Sequence, residues 1–328
     1  MSFGRPYILN IDGCIHDGWL VISPIGNVFD KNFLYLLLSS GYAFSQFRNQ
    51  ASGSAVSNLN SDKVADSLFP LPPIKEQKKI VEEYEKLSTF IQALDTNKDK
   101  LISVLQLAKS KILDLAMQGK LVPQDPTDEP AADMLRRINP KAKIITDNPH
   151  SWNIPNSWTW CRLGDIFQHN TGKTLNTSNK EGIEYEYITT SNVYWNKFEL
   201  GVLKKMPFKE SEIDKCIIQR GDLLVCEGGD VGRAAIWNLD RSVMIQNHLH
   251  RLRPITNEIL TSLYFRVFRL YKDKDLIGGR GIALQGFSSK SLHQLVVPLL
   301  PLNEQKRIVA KIEELYSVLD EIETSLQS

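Results

Sequence analysis

Apolar side chains recur at alternating intervals of four and three residues in two segments of the chain. The first stripe runs from Ile80 to Leu115 and the second from Ile308 to Leu326. This spacing is typical of the seam of a coiled coil and predicts two long helices. One stripe alone could pack against its own domain, but two stripes in one register favour antiparallel pairing of the helices. The predicted coiled-coil seam consists of Ile80, Tyr84, Leu87, Ile91, Leu94, Leu101, Leu105, Ile112, Ile308, Ile312, Leu315, Leu319 and Ile322.

Prolines and a glycine mark the ends of the first predicted helix. Pro72 and Pro73 stop the preceding segment, and Gly119 follows the last apolar position. A helix over residues 76–117 would be about 63 Å long at 1.5 Å per residue, so it acts as a spacer more than as a core element. A proline-rich linker follows and contains a short predicted helix over residues 131–138.

Short apolar runs separated by polar turns characterise the region that follows the linker. They predict strands, and a helical pattern over residues 258–270 follows them. The predicted fold class is therefore α+β, with domains of mixed strands and helices joined by the long helices. The predicted strands are Tyr185–Thr189, Cys216–Ile218, Asp222–Cys226, Ala234–Trp237 and His248–Leu252.

The chain contains an internal repeat. Residues 70–81 match residues 298–309 at a constant offset of 228, and the two copies share both prolines, a Glu-Gln-Lys tripeptide and an Ile-Val pair. A period this long indicates duplicated domains related by a pseudo-two-fold repeat. The first copy lacks a match to residues 151–228, so we expect it to be a shortened domain. The predicted organisation is a partial first domain over 1–73, a long helix over 74–119, a linker over 120–150, a complete second domain over 151–303 and a second helix over 304–328.

The charge of the chain is balanced overall and uneven locally. Thirty-nine Lys and Arg stand against 38 Asp and Glu, which excludes a bulk polycation. Residues 233–293, however, contain ten Lys or Arg and four acids. Such a stretch suits a phosphate backbone, and it equally suits a surface whose charge is compensated by acids elsewhere in the fold.

The cysteines and the apolar runs limit the cellular compartments in which the protein is expected. The four cysteines are far apart and predict neither a disulfide framework nor a metal site. The longest apolar run is much too short to span a bilayer, and the start of the chain lacks the layout of a signal peptide. We expect a cytoplasmic protein without membrane contact.

Several motifs together resemble the specificity subunit (HsdS family) of type I restriction-modification systems. The similarity covers essentially the whole chain, except for the front half of the first target recognition domain. The second helix is also short at Ser328. The motifs are the two copies at 70–81 and 298–309, the segment 115–124 with 128–131, the domain opening at 154–165, and Asp222-Leu223-Leu224 before Gly228-Gly229.

The resemblance implies a non-catalytic subunit that reads a bipartite DNA sequence, with one half-site per target recognition domain and the helices setting the gap. Its implied partners are double-stranded DNA, adenine methyltransferase subunits and motor-nuclease subunits, with self-association through the helices as a further possibility. No cofactor is expected on this chain. S-adenosylmethionine, ATP and Mg²⁺ would be bound by the partner subunits.

Two motifs resemble catalytic motifs, but the residues around them do not fit the catalytic patterns. Gly172-Lys173-Thr174 ends like a phosphate-binding loop, but Phe167 stands where the first glycine should be. Glu76-Gln77-Lys78 resembles part of a nuclease motif, but its duplicate at Glu304 indicates a structural role. Because no set of nucleophile, base or metal ligands is evident, an enzyme is the least favoured class.

Candidate DNA contacts are polar and basic residues in turns of the second domain, where base edges and phosphates can be reached. Each of them could instead be a solvated or turn-stabilising side chain. His248 and His250 alternate with Asn247 and Leu249, so we expect one of the two histidines to face inward. The candidates are Lys173, Thr174, Asn192, Arg233, Asn247, His250, Arg280, Gln285, Ser288 and Lys290.

Two alternatives to a complete specificity subunit stay open. The chain could be a truncated or recombination-derived half-specificity protein that is inactive alone or dimerises. It could also be a coiled-coil scaffold without DNA binding, which would show no salt-dependent affinity for duplex DNA.

Overall fold

The computed structural model describes residues 4–16, 18–51, 59, 61–147, 150, 152–175, 181–277 and 287–327. The chain divides into two compact units, residues 1–100 and 101–328. The boundary lies within one continuous helix, so the division differs from the domain ranges predicted above. Those ranges stay a prediction.

The regular elements described in the first unit are helices. Its short helices enclose a small core of Phe33, Ala43 and Phe47. The side chain of Asp30 caps the first helix by accepting hydrogen bonds from the N–H groups of Asn32 and Phe33. The helices are α1 (Lys31–Ser39), α2 (Gly41–Ala51), α3 (Ser61–Ala65) and α4 (Ile74–Met117), the last continuing into the second unit.

The second unit combines helices with short strands. Its helices are the end of α4, then α5 (Ala131–Ile138), α6 (Leu163–Ile166), α7 (Glu210–Cys216), α8 (Thr261–Asp273), α9 (Ser289–Gln294) and α10 (Leu302–Gln327). Its strands are β1 (Thr159–Arg162), β2 (Phe167–Thr171), β3 (Ile183–Ile188), β4 (Val193–Tyr194), β5 (Lys197–Phe198), β6 (Lys204–Phe208), β7 (Leu223–Cys226), β8 (Ala234–Ile236), β9 (Met244–Ile245), β10 (Leu249–Pro254) and β11 (Val296–Leu299).

An antiparallel sheet in the order β2-β10-β7-β8 lies at the centre of this unit. Successive side chains of a strand point to opposite faces. Leu223 and Val225 of β7 therefore enter one core, with α8, while Leu224 and Cys226 enter a second core. A smaller sheet, β6-β3-β9, lies in the second core, and β1 pairs with β11 beside the first. Burial on both faces explains why β7 is a continuous apolar run.

The internal repeat has a structural counterpart in two buried glutamines. In the first unit, Gln77 accepts a hydrogen bond from the N–H of Asp30 and donates to the carbonyls of Val28 and Pro72. In the second unit, Gln305 accepts from the N–H of Leu260 and donates to the carbonyls of Glu258 and Leu300. Each glutamine thus ties the start of a long helix to the loop before a shorter helix, so the two copies of the repeated motif make equivalent hydrogen bonds.

The two long helices meet in an antiparallel sense within the second unit. The hydroxyl of Tyr316 donates to the carbonyl of Lys109, whose ammonium pairs with Asp320 at 2.7 Å and with Glu323 at 2.6 Å. Gln106, earlier in α4, donates to Glu323, later in α10. Leu105, Ile308 and Ile312 are buried in this region, Ile112, Leu315 and Leu319 are partly buried, and Ile322 is exposed.

The burial predicted for the rest of the seam is not found. Six predicted seam residues are exposed, namely Ile80, Tyr84, Leu87, Ile91, Leu94 and Leu101. The physical reason is length. Helix α4 has 44 residues and is about 66 Å long, whereas α10 is described over 26 residues, or about 39 Å, and covers only part of such a stripe.

Most predicted elements match the structure to within a few residues. Helix α5 has the predicted bounds, α4 begins two residues early, and four of the five predicted strands are present. The strand predicted at Cys216–Ile218 is wrong, because Cys216 is the last residue of α7. Among the described residues, no helix combines the length and apolar character needed to cross a membrane.

Candidate nucleic-acid interface

Four polar turns of the second unit meet at one end of the central sheet. They are residues 171–175, 189–192, 227–233 and 246–248, and we call them the turn cluster. Backbone hydrogen bonds connect them: the N–H of Asn247 donates to the carbonyl of Lys173, and the N–H of Glu227 donates to that of His248. The Arg233 guanidinium donates to the carbonyl of Thr190 at 2.7 Å. Hydrogen bonds thus join these turns into one surface, although Lys173 and Asn247 are 74 positions apart in the chain.

Gly172 is needed inside this cluster because of close packing. A Cβ atom at this position would collide with the backbone of Ile245 and Gln246. The N–H of Lys173, next in the chain, donates to the carbonyl of Ile245 at 3.1 Å. The backbone that approaches Gly172 closely is therefore that of the chain itself.

The side chain of Lys173 is largely buried and bonded within the protein. Its ammonium pairs with Glu212 at 2.6 Å and donates to the carbonyl of Pro207 at 2.8 Å, and 11% of its side chain is exposed. The hydrogen bond from Lys173 lowers the pKa of Glu212. Lys173 and Thr174 line a shallow groove of about 470 Å³ with Lys215 of α7. Because its charge is paired within the protein, Lys173 has a structural role. Thr174 and Lys215, in contrast, are exposed.

Asn192 and Arg233 support the second turn of the cluster. The Asn192 amide donates to the carbonyl of Glu199, and its oxygen accepts from the N–H of Thr189, so its hydrogen-bonding groups stabilise the turn. Arg233 is partly buried, with its guanidinium 5.2 Å from the centre of the Tyr194 ring. Stacking of this kind stabilises the cation beside the second turn.

The inward histidine is His250, and the prediction that it contacts DNA is therefore corrected. Its ring is completely buried, with Nε2 2.7 Å from the carbonyl of Phe287 and Nδ1 3.0 Å from Nε2 of His169. Because a carbonyl only accepts, Nε2 of His250 carries the proton and Nδ1 accepts from His169. Burial lowers the pKa of both rings, that of His169 to about 4. This pair belongs to the core.

The outward histidine is His248. Its side chain is 59% exposed, and Nδ1 lies 3.3 Å from a carboxylate oxygen of Glu227. Asn247, beside it, is partly buried and accepts a short hydrogen bond from Gln246. His248 and Glu227 were not among the sequence candidates. The alternation of His248 and His250 was the available signal, but sequence alone did not say which of the two faces outward.

The remaining candidates lie elsewhere or outside the described residues. Ser288 caps α9 by accepting from the N–H of Ser291, and Lys290 is exposed on the same helix. Neither is joined to the turn cluster by the hydrogen bonds given above. Arg280 and Gln285 lie outside the described residues.

The basic stretch at 233–293 is compensated in part by acids, as the second interpretation expected. Arg253 pairs with the buried Asp222, and the other basic residues include several with acidic partners from other segments. These pairs are Arg241–Glu186, Lys272–Asp230 and Lys274–Asp114. Across the described part of the chain, no group of three or more His, Cys, Asp or Glu side chains could hold a metal ion.

These features define the class of the protein as an α+β domain in which polar turns are carried at one end of a sheet and joined to a long helix. A model of the "Type I restriction modification DNA specificity domain" family matches residues 2–106 and 155–328. The chain belongs to this family.

Curated relatives in the same family include two specificity subunits from Escherichia coli. The chain is 23% identical to the type I restriction enzyme EcoAI specificity subunit and 27% identical to the EcoBI specificity subunit. Each alignment covers 92% of this chain and 62% of the relative. The chain thus spans less than two thirds of the length of these relatives.

Solved structures show the same fold. The HsdS subunit from Thermoanaerobacter tengcongensis aligns with a TM-score of 0.56 at 20% identity, over 90% of this chain and 64% of that one. A chain from a structural study of the assembly and conformational transition of a type I restriction-modification system aligns equally well, over 90% and 65%.

Proposed function

We propose that this chain is a DNA sequence-specificity subunit of a type I restriction-modification complex and that the turn cluster of the second unit reads one half-site. The observation that carries the proposal is the convergence of four polar turns on one surface. Their exposed hydroxyl, imidazole and carboxylate groups are hydrogen-bonding groups of the kind that read base edges, while Arg233 and Lys215 supply positive charge toward phosphates.

The proposed subunit has no chemistry of its own. Its partners are adenine methyltransferase subunits and motor-nuclease subunits, which bind S-adenosylmethionine, ATP and Mg²⁺. The type I system to which the relatives belong supports this assignment, as does the structural neighbour from an assembled system. The site of action is the cytoplasm, where the DNA of a bacterial host lies.

The first experiment is co-purification of the tagged chain with a type I methyltransferase subunit, followed by mapping of methylated adenines in DNA exposed to the complex. The expected result is a stable complex and one bipartite motif. Absence of both the complex and the motif would refute the proposal.

The helices are proposed to set the untouched spacer between half-sites. Inserting four helix-forming residues after Lys98 lengthens α4 by about 6 Å. At 3.4 Å per base pair, the spacer should grow by about two base pairs. The matched control inserts the same residues in the linker after Lys141, outside both long helices. A spacer that is unchanged by the insertion at Lys98 would contradict the spacer role.

A second candidate is a half-specificity protein that dimerises. The exposed stripe on α4 favours it, because Tyr84, Leu87, Ile91 and Leu94 are each more than half exposed along one helix. A second copy would bury this stripe by helix pairing. Sedimentation of the purified chain and of L87D tests it: the wild type should be dimeric and the variant monomeric. A coiled-coil scaffold would instead show no binding to duplex DNA at any salt concentration.

A further inference from the structure

We propose that His248 is a specificity-determining residue that contacts a purine of the half-site read by the second unit. The inference rests on the proposed function, and it assigns base reading to one side chain of the turn cluster. Four observations support it: the backbone conformation of His248, the hydrogen bonds that hold this conformation, the exposure of the ring, and the polar groups beside the ring.

The backbone of His248 has a φ of 70°, in the left-handed region. A glycine occupies this region without steric cost, whereas a side chain with a Cβ atom is strained there. Two other described residues besides glycine share this conformation, Asn196 and Asp275. Their short side chains suit turns of this kind, because they can hydrogen-bond to the nearby backbone. Residues held in this region cluster at functional sites, so the conformation points to a role for the imidazole.

Hydrogen bonds on both sides of His248 maintain the strained conformation. Its carbonyl accepts from the N–H of Glu227 at 2.8 Å, and the N–H of Asn247 donates to the carbonyl of Lys173 at 2.8 Å. Leu249, next in the chain, donates to the carbonyl of Gln246 and accepts from the N–H of Gly172. All of these bonds involve backbone atoms, so the fold requires the turn but not the imidazole.

The imidazole points away from the core. Its side chain is 59% exposed, whereas Leu249 and His250 on the following strand are buried. Its Nδ1 lies 3.3 Å from the Glu227 carboxylate, and its Nε2 lies 3.4 Å from the Asn247 amide nitrogen. The contact with Glu227 orients the ring. Because a carboxylate only accepts, Nδ1 carries the proton, and Nε2 beside the Asn247 amide is an acceptor.

The ring and its neighbour have the chemistry to read a purine. Both adenine and guanine present N7 as an acceptor in the major groove, and adenine adds an amino donor while guanine adds a carbonyl acceptor. Nε2 of His248 can accept from the amino group of adenine, and an N–H of the Asn247 amide beside it can donate to N7. The proposal therefore commits to a purine contact by His248 through a base edge.

The test combines a stability measurement with sequence selection. The full chain, with any methyltransferase subunit that co-purifies with it, is used to select duplexes from a pool of randomised sequence. The variants are H248G, which removes the ring and the strain, and H248N, which keeps a small polar group. The matched control is N196G, which relieves the same backbone strain outside the turn cluster.

Both glycine variants should keep or raise the Tm, because each relieves a left-handed residue. H248G should bind the duplex selected by the wild type about tenfold more weakly, in line with one lost base contact. Its selected motif should lose a purine preference at one or two positions of a single half-site. H248N should keep the fold and show an altered preference at the same positions, and N196G should select the wild-type motif.

Three outcomes separate failure of this inference from failure of the proposed function. A wild-type chain that selects no motif refutes the proposed function itself. A wild-type motif that H248G selects unchanged refutes the role of His248 alone. A uniform loss of affinity with the same motif also refutes base reading, because it indicates contact with phosphate. A fall in the Tm of H248G would show that the ring is structural and would overturn the argument from strain.

Discussion

The buried Gln305 offers the sharpest test of how the repeat is stabilised. Its side chain is completely buried at the start of α10, and it makes three hydrogen bonds to the backbone before α8 and before α10 itself. The substitution Q305A removes the amide and leaves one N–H, of Leu260, and two carbonyls without this partner. Gln77 makes the corresponding three bonds in the first unit.

The expected loss of stability follows from these bonds. Each contributes about 1 kcal/mol net, and a buried group left unpaired costs about 1–3 kcal/mol. Q305A should therefore lower the free energy of unfolding of the second unit by about 3 kcal/mol or somewhat more. This is a large part of the roughly 5–15 kcal/mol that stabilises a typical domain. The matched control K306A changes an exposed neighbour on the same helix and should cost less than about 0.5 kcal/mol.

The assay is urea denaturation followed by tryptophan fluorescence, since five of the six tryptophans lie in residues 101–328. Hydrogen exchange then localises the effect. The Leu260 amide should lose protection in Q305A, and the Asp30 amide should lose protection in Q77A. The reasoning is refuted if Q305A unfolds within about 0.5 kcal/mol of K306A and the exchange of Leu260 is unchanged.

Two further predictions concern buried charges. Burial raises the pKa of Glu304, which accepts hydrogen bonds from Trp158 and Gln124. Its contribution to stability is therefore fully present below its ordinary pKa of 4.5 and is lost as the pH rises through the raised value. The Tm of the wild type relative to E304Q should thus increase as the pH falls from 7 toward 4.5, and parallel Tm curves for the two proteins would contradict this. Breaking the Lys173–Glu212 pair with K173A should cost about 1–2 kcal/mol, a value that allows for the partial exposure of Glu212. In a double-mutant cycle, K173A and E212A together should cost about 1 kcal/mol less than the sum of the single variants, and strictly additive losses would show that the two residues are not coupled.

The elements that sequence predicted best are those whose signal is local. Helix α4 follows from a long apolar period bounded by Pro73 and Gly119, and α5 has the predicted bounds. The repeat could be predicted because residues 70–81 and 298–309 share a motif. In the structure, Gln77 and Gln305 of the two copies make equivalent hydrogen bonds. The strand predicted at Cys216–Ile218 failed, because the run begins at the last residue of α7, and the next residue, Ile217, forms an isolated bridge with Met244 rather than a strand.

The candidate site was predicted as a set of turns, but its individual members were not. The turns around Lys173, Asn192, Arg233 and Asn247 come together as a surface, yet Lys173 pairs with Glu212, a residue 39 positions later in the chain. The side-chain amide of Asn192 makes hydrogen bonds to the backbone of Thr189 and Glu199, which stabilise its own turn. A lysine or asparagine in a turn has the same local sequence signal whether its partner is solvent, DNA or another segment of the chain, so these roles could not be separated.

By itself, the sequence determined the long helices, the duplicated motif, the α+β class and the family resemblance, because each of these is written in spacing along the chain. Only the tertiary structure decided which of two alternating histidines faces outward, which glycine is needed for close packing, and how much of the apolar stripe on α4 is covered. These outcomes depend on which distant segments meet. His250 faces inward because it makes hydrogen bonds to the carbonyl of Phe287 and the ring of His169. His248 faces outward because backbone hydrogen bonds to Glu227 and Lys173 fix its turn.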